Sequence, residues 1–252
     1  MNIEEYANYP LFNGIKILND KMIKEDLPKI ELNVIGGFAL MFHDLRSKEG
    51  LTDIDYIGPN LNSSLKKIID QMSKDYELPH DWINNDCLLP GTTLEDLEYT
   101  TGKLHFSEAF DLERIKVNIL STEDLLKMKI ISIDTQLCSI NTKEIMEFTR
   151  YKDFADISKL MTATNTSIED IKKNPDVYKI VDTHTPHIIE TYIDKGIKEV
   201  RNEIQKCLYQ SYKTFEEDRE KFKNTVYKRP PIVQEMLQKA INRAKEEDYP
   251  QL

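Results

Sequence analysis

Two aspartates one residue apart, Asp53 and Asp55, lie near the end of "NVIGGFALMFHDLRSKEGLTDIDYIG", a stretch that begins at Asn33. On an extended strand they project from one face with Cβ atoms roughly 6–7 Å apart, and Ile54 points the other way into the core. So placed they repel each other and one pKa rises, unless a divalent cation lies between them. Hard cations such as Mg²⁺ are held in this way, by one or two carboxylates together with substrate phosphates. Upstream, an apolar run leads into Gly36 and Gly37 and then into a helix-like segment. Glycines let another backbone or a phosphate approach closely, and a helix N-terminus offers it free N–H groups. Each part alone has a bland reading, the aspartates as a solvated turn or capping pair and the glycines as a turn. In this order, with strand, turn, helix and strand between them, they describe a phosphate cradle facing a metal-binding carboxylate pair.

The elements that must position these residues alternate in the first half of the chain. Leu11, Ile15, Leu18 and Met22 form a helical stripe. "IELNVI" (30–35) and "LTDIDYIG" (51–58) read as strands, with the helix of "GFALMFHDL" between them, and a further helix runs from about Ser63 to Tyr76. "GKLHF" (102–106) and "RIKVNIL" (114–120) are strand candidates with alternating apolar positions. Ser121 and Asp124 open a helix in the manner of a capping box. The expected fold class is therefore α+β, a mixed sheet with flanking helices.

After "TATNTS" (162–167) no strand is expected. Ile189, Ile193, Ile197, Val200, Ile204, Cys207 and Phe215 recur every three to four residues or at multiples of that period, which predicts one long amphipathic helix from His187. Pro230-Pro231 separates it from a last helix at about 233–247. The expected division is a sheet-bearing domain over 1–165 and an all-α helical bundle domain over 166–252.

Composition narrows the classes. Hydrophobic residues at 40% and charged residues at 31% suit a globular chain rather than a disordered one. No apolar run reaches the roughly 18 residues a membrane span needs. The acidic opening "MNIEEYANYP" lacks the apolar core of a secretory signal, and three scattered cysteines, Cys87, Cys138 and Cys207, suit a reducing compartment. A cytoplasmic location and no membrane partner are expected. The formal net charge of −10 repels nucleic acid at long range, so an RNA partner would need a local basic surface. The modestly basic "KFKNTVYKRPP" (221–231) follows acidic "FEEDRE" and reads first as a solvated helix end.

The Gly-Gly, helix, Asp-x-Asp succession resembles the nucleotidyltransferase superfamily, and more closely its branch of AbiEii-type toxins and related nucleotidyltransferase-like proteins. "GGFAL", Arg46 and the Thr52-Asp53-Ile54-Asp55 block come in that branch's order. "LPHDWIN" (78–84), "STEDLLKMKIISI" (121–133) and "RYKDFADISKLM" (150–161) extend the likeness over about 25–162. The resemblance implies that Asp53 and Asp55 bind Mg²⁺ carrying a nucleoside triphosphate, that Gly36 and Gly37 lie under the phosphates, and that Arg46 and Thr52 belong to the same nucleotide site. It further implies that Lys129 contacts the triphosphate and that Asp153 is needed with it, with Lys152 and Arg150 near the same site. Lys127, two positions before Lys129, is the neighbouring alternative. A nucleotidyltransferase domain followed by a helical bundle is an arrangement known in this group. The implied activity is transfer of a nucleotidyl group to an RNA, such as tRNA, or to a protein acceptor, in a toxin that would have an antitoxin partner.

The chain departs from the pattern at one chemically important place. Many members carry a third acid on a later strand, where "KVNIL" has Asn118, so the base for an incoming hydroxyl is unassigned; Asp111 and Glu113 are the alternatives. The competing expectation is a non-catalytic, nucleotidyltransferase-shaped binding or interaction module. His184 and His187 read as a turn and helix cap, Trp82 as core, and Tyr192, Tyr209 and Tyr212 as packing residues between helices.

Overall fold

A computed structural model describes residues 9–47, 51–59, 61–85, 94–139 and 151–207. Its centre is a mixed five-stranded sheet in the order β3-β2-β1-β5-β4. The strands are β1 (Ile30–Val34), β2 (Ile54–Ile57), β3 (Ile83–Asn84), β4 (Phe106–Asp111) and β5 (Ile115–Leu120). Strand β1 runs antiparallel to β2 and parallel to β5, β3 is parallel to β2, and β4 is antiparallel to β5.

The alternation of residue types decides which face is covered. Leu32 pairs with Val117 and Val34 with both Ile119 and Tyr56, so these side chains share one face, and all are buried. The opposite face carries Glu31, Asn33, Lys116 and Asn118 on neighbouring positions, with Asp55 on the same side of β2. This polar strip explains why β1 reads only weakly as a strand by composition.

Eight helices lie before residue 196 among the described residues: α1 (Pro10–Lys24), α2 (Gly36–Phe42), α3 (Ser63–Asp75), α4 (Leu94–Thr101), α5 (Thr122–Ser139), α6 (Tyr151–Ala163), α7 (Ile168–Lys173) and α8 (Thr185–Lys195). Helix α1 buries the expected stripe of Leu11, Ile15, Leu18 and Met22, and packs beside α3. Phe12 of α1 meets Phe110 of β4 edge to face at 5.1 Å, and Phe42 of α2 lies 6.2 Å from the same ring. Helices α5 and α6 pack together, and α8 joins them. None of the described helices is long and apolar enough to cross a membrane.

Three local expectations are corrected. Strand β2 begins at Ile54, so Leu51, Thr52 and Asp53 lead into it rather than belong to it. Residues 102–105 are not strand, and β4 begins only at Phe106. The N–H groups of Leu104 and His105 donate to the Glu98 and Asp124 carboxylates rather than to a ladder. The long helix from His187 is interrupted: Gly196 takes φ 79°, ψ 179°, a conformation reserved in practice for glycine, and helix resumes over 197–207. Beside the break Ile193 and Ile197 are 45% and 39% exposed, so the isoleucine stripe is not one continuous buried seam. The last expected helix, Phe215, Tyr209, Tyr212 and the basic stretch 221–231 lie outside the described residues.

The chain forms two compact units. The first comprises 1–140 and 147–200, the second 141–146 and 201–252. The division expected at 165 falls within the first unit. There Asp134 of α5, 3% exposed, accepts hydrogen bonds from the N–H groups of Val181 and Asp182 and from the Thr185 hydroxyl, tying the start of α8 to α5. An α+β fold with a mixed sheet is observed as expected, Trp82 is fully buried in it, and Tyr192 stacks on Phe154 at 5.4 Å.

Candidate functional site at the glycine turn and the paired aspartates

The end of β1 and the start of β2 bring the glycine pair against the aspartates. The Ile35 N–H donates to the Asp55 carbonyl at 2.9 Å, which sets Asp55 beside the residue that precedes Gly36. On the other side Ile54 pairs with Ile83 and Asp55 with Asn84, whose side chain hydrogen-bonds the Asp55 carboxylate. Gly36 has φ 66°, and a Cβ there would stand 2.6 Å from Asp55 Oδ2. Glycine is required at this position twice over, by backbone sterics and by the carboxylate lying over it. A Cβ at Gly37 would stand 2.5 Å from Arg46 Nη1, so the second glycine makes room for a guanidinium. Arg46 also lines a surface cleft of about 570 Å³ with Met41, Leu45 and Lys159.

Asp55 is electrostatically unusual. Burial, then the neighbouring Asp53 charge, push its pKa up to about 6 from the ordinary 3.8, against the opposing pull of Lys129, Lys152 and the Asn84 hydrogen bond. Carboxylates placed to repel each other and kept partly from water favour whatever positive species joins them, a proton or a cation. The ammonium groups of Lys129 and Lys152, from α5 and α6, are both within electrostatic reach of Asp55.

Lys129 is held in turn. Its Nζ lies 2.5 Å from Asp153 Oδ1 and 3.0 Å from Asp156 Oδ2. Both carboxylates come from α6, where residues three apart share a face. Lys127, by contrast, pairs with Asp124 of its own helix at 3.2 Å. Burial works to raise the Asp124 pKa, but hydrogen bonds from the His105 N–H and ring and from Lys127 outweigh it and hold the carboxyl below its usual range. Because the His105 groups occupy this carboxylate and the Ser121 N–H donates to the His105 carbonyl, the expected capping box keeps only one arm, Asp124 N–H to Ser121 Oγ at 3.2 Å.

Of the residues singled out in the sequence, Gly36, Gly37, Arg46, Asp53, Asp55, Lys129, Lys152 and Asp153 are linked into one neighbourhood. Thr52 is exposed in the segment leading to Asp53, and Arg150 lies outside the described residues. Asp111 and Glu113 do not reach the site. They flank the β4–β5 turn, pairing with Lys29 and Arg114, at the end of the sheet where β1 begins. Five residues of strand separate that end from Ile35, about 16 Å. Asn118 donates to Glu31 Oε1 at 2.5 Å and to Asn33 Oδ1 at 2.9 Å, as part of the polar strip. Two residues of the neighbourhood escaped sequence reasoning. Asp156 had a signal in its spacing of three from Asp153; Asn84 had none, because only strand pairing places it beside Asp55.

The fit of a hard divalent cation rests on the donor set, two carboxylates whose mutual repulsion is relieved by positive charge, beside a glycine turn that a side chain would fill. Among the described residues no group of three or more His, Cys, Asp or Glu side chains is arranged to hold a metal, so the remaining ligands would come from substrate and water. His184 and His187 flank the first turn of α8, and His187 faces Glu190 at 3.8 Å. No protein-family model, curated protein or solved structure matches the chain.

Proposed function

We propose that the chain is a Mg²⁺-dependent nucleotidyltransferase of the AbiEii-like kind, which transfers a nucleotidyl group from a nucleoside triphosphate to an RNA or protein hydroxyl, in the setting of a toxin with an antitoxin partner. The observation that carries the reading is the Asp55 carboxylate lying over Gly36, within the field of Asp53, Lys129 and Lys152. Asp53 and Asp55 would hold the metal, which when bound neutralises the triphosphate and the departing pyrophosphate. Gly36 and Gly37 let the Asp55 carboxylate and the Arg46 guanidinium stand against the turn that would receive the phosphates. Lys129, steadied by Asp153, and Arg46 present fixed positive charge to the same phosphates, an electrostatic contribution that needs no rearrangement during the reaction. The acceptor hydroxyl, its proton passing to solvent water, then attacks the α-phosphorus in line as the bond from that phosphorus to the leaving pyrophosphate breaks.

The second reading, a nucleotide-binding or interaction module without transfer chemistry, draws on Asn118. Its amide is engaged with Glu31 and Asn33 where many members of the superfamily it resembles carry a third acid. Incubation with each α-labelled nucleoside triphosphate, Mg²⁺, total tRNA and cell lysate separates the two. Labelled RNA or protein is expected, reduced about 10²-fold or more by Lys129→Ala and little changed by Lys127→Ala. A folded, Mg²⁺-binding protein that labels nothing supports the module.

A further inference from the structure

We infer that Asp156 is a positioning residue for the triphosphate site, acting through Lys129; this rests on the nucleotide-binding reading above. A lysine that only needs its charge balanced is served by one carboxylate, and Asp153 already supplies it at 2.5 Å. Asp156 adds a second, with side-chain exposure of 6% against 1% for Asp153 and 14% for Lys129. A second buried carboxylate on the same ammonium is costly to desolvate unless geometry offsets it. The Asp156 oxygen that meets the ammonium is itself buried and makes no hydrogen bond of proper alignment, so the contact is an ion pair that constrains position.

The geometry explains what the second carboxylate does. With Asp153 alone, the ammonium could swing about a single contact. Asp153 and Asp156 stand one helical turn apart on α6, with Phe154 and Ile157 between and beside them at 0% exposure, so neither acid is free to follow it. Two carboxylates anchored on one helix hold the ammonium at 2.5 and 3.0 Å, within electrostatic reach of Asp55.

Charge and position predict opposite effects for the same substitution, which makes the test sharp. Removing the Asp156 charge should by itself strengthen binding of a polyanion, because a nearby repulsion is lost. A loss of affinity therefore reports position. Calorimetry with Mg²⁺ and each of the four common nucleoside triphosphates would be run on the full chain, Asp156→Asn, Lys129→Gln and the double variant, with thermal unfolding followed in parallel. The expected pattern is a loss of about fivefold or more on Asp156→Asn when Lys129 is intact and none when Lys129→Gln is already present, the non-additivity that marks a residue acting through another. Asp156→Ser, smaller and also neutral, repeats the cycle if the first variant folds poorly. Unchanged or tighter binding by the Asp156 variants, or an equal loss with and without Lys129→Gln, overturns the inference while leaving the nucleotide site standing. No binding of any triphosphate by the unaltered protein overturns both.

Discussion

At the scale of single residues, the site places one carboxyl, that of Asp55, where burial and a neighbouring charge favour its neutral form. Asp55 has its pKa raised to about 6 by burial and by Asp53. An acid whose folded pKa exceeds its unfolded one holds its proton more tightly when folded. That contribution to stability is complete below the unfolded value of 3.8 and is lost as pH rises through about 6. Asp55→Asn should therefore stabilise the metal-free protein at pH 7.5, by on the order of 2 kcal/mol, and should have little effect at pH 3.5. Urea unfolding at the two pH values without Mg²⁺ checks this; destabilisation at pH 7.5 would show that the Asn84 and lysine contacts outweigh burial. The aspartate pair and the glycines could be recognised in the sequence because their chemistry depends on neighbours along the chain. Lys129 and Asp153 could be recognised only through a family likeness, since 24 positions separate them and nothing in their spacing makes them meet.

At the scale of elements, periodicity found α1, α3 and the start of α5, and β1 and β5 within about a residue or two, because each has an apolar face of regular period, whereas β2 starts three residues later than expected. It failed where backbone N–H groups are satisfied by side chains, as at Leu104 and His105, and where one glycine ends a helix whose apolar stripe continues, as at Gly196. Short α4 and α7 carried no sequence expectation. The link from α5 to α8 was equally hidden, since Asp134 reads as one more acid on a helix until its three donors from 181–185 are seen. Asp134→Ala would strand those donors in a buried place and should cost about 3 kcal/mol, measured by urea unfolding of the full chain. Thr185→Val removes one of the three and should cost about 1 kcal/mol. Equal small effects would mean that water replaces the carboxylate readily.

At the scale of the whole molecule, the sheet-bearing unit ends at Val200, well after the last strand. A fragment of residues 1–200 should unfold cooperatively in urea, whereas 1–165 should expose the surfaces of α5 and α6 that α8 covers and bind a hydrophobic dye. A cooperative, dye-free 1–165 fragment would show that α7 and α8 are appended rather than integral. The net charge of −10 sets a general repulsion toward any polyanion, so the proposed nucleotide affinity would have to come from a local arrangement and a bridging cation. Asp53 and Asp55 are proposed to hold that cation. Calorimetric titration of nucleoside triphosphate into the full-length protein, with and without Mg²⁺, tests this most directly. Binding is expected only with the metal and should vanish in the Asp53→Asn, Asp55→Asn double variant, while metal-independent binding that survives in the double variant would contradict the account.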